Sequence, residues 1–120
     1  MTTHAHYTLK IKTMTKLLKK DFLLIEKKNE IEIIYDSAFS KGNKRTLQPT
    51  SKPRFSKRYN LHKLTLTNKN NLNGAKFYAY LRGENVSFAY SDMAISVNSI
   101  IVRDQEPDCI GSFDANGDLI

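Results

Sequence analysis

The chain has one cysteine, Cys109, and no tryptophan. A single cysteine excludes an intramolecular disulfide and any zinc site built from paired cysteines, and it fits a reducing compartment. No apolar run approaches the roughly 20 residues that a bilayer span requires; FLLI at residues 22–25 is far too short. The opening MTTHAHYTLKIK has no basic start, apolar centre or small-residue cleavage site, so it does not read as a secretory signal. The expected location is cytoplasmic, without a membrane partner. Walker loops, Rossmann glycine patterns and paired-cysteine motifs are missing too. Neither a cofactor nor a metal is implied.

The most informative absence is of acid. Between Asp36 and Glu84 there is no aspartate or glutamate, yet that window holds Lys41, Lys44, Arg45, Lys52, Arg54, Lys57, Arg58, Lys63, Lys69, Lys76 and Arg82. Residues 1–36 carry seven lysines against five acids, and residues 84–120 carry only Arg103 against seven acids. The net charge of +7 therefore hides a middle at +11 between flanks at +2 and −6. A basic middle followed by an acidic end points to a polyanionic partner for the first. The second could compete with that partner or recruit another protein, although a terminal hairpin accounts for it more simply.

The 120 residues, 40% of them hydrophobic, suit one domain with a modest core. In the N-terminal part Tyr7, Leu9 and Ile11 alternate with Thr8, Lys10 and Lys12, as in a half-buried strand. Residues 14–20 read as a short helix or turn. Residues 21–36 read as a hairpin about Lys28-Asn29, with Leu24 opposite Ile33 and Phe22 opposite Tyr35. Residues 40–56, SKGNKRTLQPTSKPRFS, have one leucine and no periodicity, and read as a long basic loop, mobile when free.

The second half is more regular. LHKLTLTN is a strand with Leu64 and Leu66 inward. AKFYAYLRGENVSFAY is a hairpin over RGEN that pairs Leu81 with Val86, Ala79 with Phe88 and Phe77 with Tyr90. SIIVRD supplies another strand, and Asn116-Gly117 fits a type I′ turn near the end. The expected fold is mainly β: an antiparallel sheet or small open barrel of about six strands, with at most one short N-terminal helix and a long basic loop. An α+β fold is the alternative, and exposed sheet edges allow a homodimer.

The expected function is binding of nucleic acid, with the single-stranded form favoured and no chemistry required. Residues 41–59 would grip phosphates through Lys41, Lys44, Arg45, Lys52, Arg54, Lys57 and Arg58, with Phe55 and Tyr59 accepting bases. Lys63, Lys76 and Arg82 would extend the grip over the sheet. Tyr78 and Tyr80, two apart on one strand, would form a stacking row if they face solvent; otherwise they would pack beneath residues 14–27.

Rival readings belong to other classes. One is an inhibitor of phage or mobile-element type that docks on an acidic protein. Another is a small metal-free ribonuclease using His62 with Lys63, Arg58 and Tyr59. His4 and His6 lack a third metal ligand. The series Asp114, Asn116, Asp118 has its glycine one residue early for a calcium loop, so a turn is the better reading.

Overall fold

In the computed structural model, residues 15–91, 94–104 and 109–120 are described. The expected strand at Tyr7–Lys12, His4, His6 and part of the acidic C-terminal segment lie outside them. The fold is the expected mainly β one, a single antiparallel sheet curled into an open half-barrel with one short helix. The elements are α1 (Lys19–Glu26), β1 (Ile31–Asp36), β2 (Asn43–Pro49), β3 (Arg54–Ser56), β4 (Leu61–Asn68), β5 (Phe77–Arg82), β6 (Asn85–Tyr90), β7 (Ser96–Arg103) and β8 (Cys109–Phe113). Their order across the sheet is β6-β5-β4-β2-β1-β7-β8, and β3 lies beside the first half of β4.

One face of the sheet carries the core. Ile31, Ile33, Leu47, Leu64, Leu66, Phe77, Ala79, Ile100, Val102 and Phe113 are all buried on it, and Leu17, Phe22 and Ile25 come down from the helical segment to cover them. The strict alternation along β1 and β5 follows from the two-residue period of a strand. The β5–β6 hairpin has the expected pairs, Leu81 with Val86, Ala79 with Phe88 and Phe77 with Tyr90. Of its two loop residues only Gly83 has a positive φ, +61°, as in a type II′ turn.

The hairpin expected at residues 21–36 is corrected. Residues 19–26 form a helix, so Phe22 and Leu24 have no strand partner. Asp21 accepts a hydrogen bond from the Leu18 backbone N–H at 2.9 Å, which satisfies one of the orphan donors at the helix start. Phe22 and Ile25, three apart, then share the buried stripe. Lys28, at φ +80°, ends the turn that follows. Released from that pairing, β1 lies between β2 and β7 in the middle of the sheet.

Residues 40–56 also differ from the loop expectation, because they contain β2 and β3. β2 buries only Leu47, but its backbone pairs with β1 on one side and β4 on the other. Those ladders override the weak strand propensity of NKRTLQP. Residues 50–53 belong to no strand, and β3 then pairs Arg54 with Lys63 and Ser56 with Leu61.

The C-terminal turn reaches across to the β6 edge. Phe88 N–H donates to the Ala115 carbonyl, and Leu17 N–H to the Gly117 carbonyl, each at 2.8 Å. The expected type I′ turn is not formed, because Gly117 alone has a positive φ, +82°. Instead Asp114 Oδ1 accepts the N–H groups of Asn116 and Asp118, and the Asp114 carbonyl accepts that of Gly117. A type I turn closed by a left-handed glycine has this pattern.

Candidate nucleic-acid interface

The face of the sheet opposite the helix is polar and basic across β3, β4, β5 and β6. Register places Arg54, Lys63, Tyr80 and Ser87 in one row, with Thr65, Tyr78 and Ala89 in the next. Partners in an antiparallel ladder share a face, so these side chains are lateral neighbours. Tyr78 and Tyr80 are half-buried and lie on the side away from the core that α1 covers, not beneath the helix. Their ring centres are 6.2 Å apart, and the Lys63 ammonium sits 4.2 Å from the Tyr78 ring centre. A cation at that distance is attracted by the ring and holds it in place.

Partial burial raises the Tyr80 hydroxyl above its ordinary pKa of 10.0, and the neighbouring Tyr78 adds to the effect. The Tyr80 ring therefore stays neutral through the physiological range. Because folding raises this pKa, the unfolded chain ionises first. The contribution to stability is full below about pH 10 and is lost as pH rises through the folded-state value. The absorbance difference between the wild type and Tyr80→Phe, titrated at the phenolate band, is expected to show a midpoint above 10.

Two open depressions flank the tyrosines. One, of about 320 Å³, is lined by Thr50, Ser51, Arg54, Lys63, Thr65 and Lys76. The other, of about 570 Å³, is bordered by Tyr80, Arg82, Asn85, Ser87, Lys16 and Asn116 among others. No carboxylate among the described residues lines either. Among the described residues the ion pairs fall at Lys16–Asp118, Lys69–Glu30 and Arg103–Glu32, and none involves Arg54, Lys63, Lys76 or Arg82. No acid among the described residues therefore neutralises these four cations.

The β3–β4 turn joins this face at one end. Arg82 Nη2 donates to the Tyr59 carbonyl at 3.3 Å, and the Arg58 guanidinium lies 5.4 Å from the Tyr59 ring centre. Lys57 is exposed on the same turn, and Lys52 on the link before β3. Lys44, by contrast, lies roughly 26 Å from the Lys63 row along the strand direction, judged from the register and the strand rise. Arg45 and Lys41 lie at the same remote end. Phe55 alternates to the other face, where its ring packs 5.0 Å from that of His62.

His62 and Lys63 are adjacent on β4 and therefore point to opposite sides of it. No cluster of three or more His, Cys, Asp or Glu able to hold a metal occurs among the described residues. No helix there is long and apolar enough to cross a membrane. Sequence reasoning missed Thr50, Ser51 and Thr65. Thr65 alternates with Leu64 and Leu66 and could have been placed beside Tyr78 had the β4–β5 register been known. No family model, curated protein or solved structure matches the chain.

Proposed function

We propose that the protein binds single-stranded nucleic acid on the outer face of β3–β6, without catalysing a reaction. The observation that carries this reading is the cluster of Arg54, Lys63, Lys76 and Arg82 around the half-exposed Tyr78–Tyr80 pair, with none of the four in an ion pair with a carboxylate among the described residues. Cations that no internal acid neutralises suit a phosphate backbone, and rings set between them suit unstacked bases. A duplex would offer the phosphates but not the faces of its bases.

The turn cations Lys57 and Arg58 extend the path at one end. Lys41, Lys44 and Arg45 are too remote to serve the same few nucleotides. Changing Arg54, Lys63 and Lys76 together to Ala is expected to reduce the steepness of the salt dependence by about 2 in log–log slope, at roughly 0.7 for each phosphate no longer held. Titration of a labelled oligonucleotide at several salt concentrations reads that slope directly. An unaltered slope would place the binding elsewhere. Docking on an acidic protein would use the same cations but would not need the rings; a pull-down from nuclease-treated lysate separates it.

A further inference from the structure

We propose that the depression between the β2–β3 link, β4 and the start of β5 is a subsite for a dianionic phosphate monoester, such as the phosphorylated end of a strand. The proposal deepens the reading above and rests on it for the rest of the ligand. Three cations from three separate elements line it: Arg54 on β3, Lys63 on β4 and Lys76 just before β5. Thr50, Ser51 and Thr65 line the same space, and among the described residues no carboxylate does.

The frame around it is fixed by hydrogen bonds. The Thr50 N–H and hydroxyl both donate to the Thr65 carbonyl, at 3.2 and 3.3 Å, which fastens the link to β4. Lys76 donates through its backbone N–H to Ser91 Oγ at 2.9 Å and through Nζ to the Leu72 carbonyl at 2.8 Å. These bonds set its stem without neutralising its charge.

The charge count decides between an internal and a terminal phosphate. An internal phosphodiester carries one negative charge spread over two free oxygens. A terminal monoester carries about 1.5 to 2 charges at pH 7 and has three free oxygens, which match three cations and neighbouring hydroxyls far better. The neighbouring rings then lie where the first bases of such an end would follow. Recognition of an end would also set the direction in which a strand crosses the sheet.

The test compares one short oligonucleotide carrying a 5′-phosphate, a 3′-phosphate or neither, alongside amide resonances of the full chain titrated with inorganic phosphate. Binding is expected to be about tenfold tighter for one phosphorylated end than for the unphosphorylated strand, the gain of one good charge-assisted contact. That ratio is expected to fall towards one in both Arg54→Gln and Thr65→Val. Equal binding of all three strands would overturn the subsite and leave strand binding standing. If no oligonucleotide binds, saturable phosphate shifts at Ser51 and Thr65 would uphold the subsite for a small phosphate ester and remove the strand reading. Absence of both would remove both.

Discussion

Replacing Tyr78 and Tyr80 together by Ala is expected to weaken binding of a single-stranded oligonucleotide about 30-fold or more. Each ring that stacks on a base contributes about 1–3 kcal/mol, so two missing rings remove at least about 2 kcal/mol. The cost should fall on binding and far less on folding. Both side chains lie on the face away from the buried cluster, and the core partners of β5 are Phe77, Ala79 and Leu81. The double change to Phe keeps the stacking surface and is expected to stay within about threefold of the wild type, because the hydroxyls are not what a base stacks on. Unchanged affinity in the Ala variant, with the fold intact, would mean that the cations act alone.

The second large effect is on stability and concerns the joint between the C-terminal turn and β6. Gly117→Ala is expected to destabilise the fold by about 2–4 kcal/mol in chemical denaturation. Two causes add. At φ +82° a side chain is strained, and an added Cβ would clash with the Val86 carbonyl oxygen. Backbone rather than a flexible side chain forms that wall, so relief must come from the joint itself. The Gly117 carbonyl also receives the N–H of Leu17, which is fully buried, so any shift is passed to the core. Gly42→Ala provides the comparison. Its φ is +67° but nothing lies within 4 Å of the added Cβ, and the expected cost is about 1 kcal/mol. Equal losses at the two positions would argue that the close approach to β6 is not present in solution.

The parts of the fold legible in the sequence are those where each strand specifies its own faces. The β5–β6 hairpin is legible down to its register, because FYAYLR and NVSFAY both alternate cleanly and a two-residue glycine turn joins them. β4 is legible for the same reason, through Leu64 and Leu66. The helix at residues 19–26 is not, since DFLLIE followed by IEIIY alternates well enough to mimic a hairpin. Only the covering role of Phe22 and Ile25 over the sheet settles it, and that is a tertiary fact. β2 is hidden because its stability comes from two neighbouring ladders and a single buried leucine rather than from any pattern of its own.

The candidate site is legible as chemistry but not as geometry. The acid-free window names the cations, and the spacing of Tyr78 and Tyr80 puts them on one side of a strand. Nearness in sequence then misleads. Phe55 and Arg54 are adjacent yet face opposite ways, as are His62 and Lys63. Lys44 and Arg54 fall within one basic segment, but β2 carries Lys44 to the far end of the sheet. Lys76 and Lys63 come together only through the β4–β5 pairing.

The most direct test of the central claim is fluorescence anisotropy of labelled single-stranded DNA, single-stranded RNA and duplex, each titrated at about 50 and 200 mM salt. Stacking between cations requires a single-strand preference that survives the higher salt, since the ring contribution is not screened. Weak binding to all three that vanishes at the higher salt would contradict it. The outer face would then be a non-specific electrostatic surface, and its four cations would be better explained by an acidic protein partner.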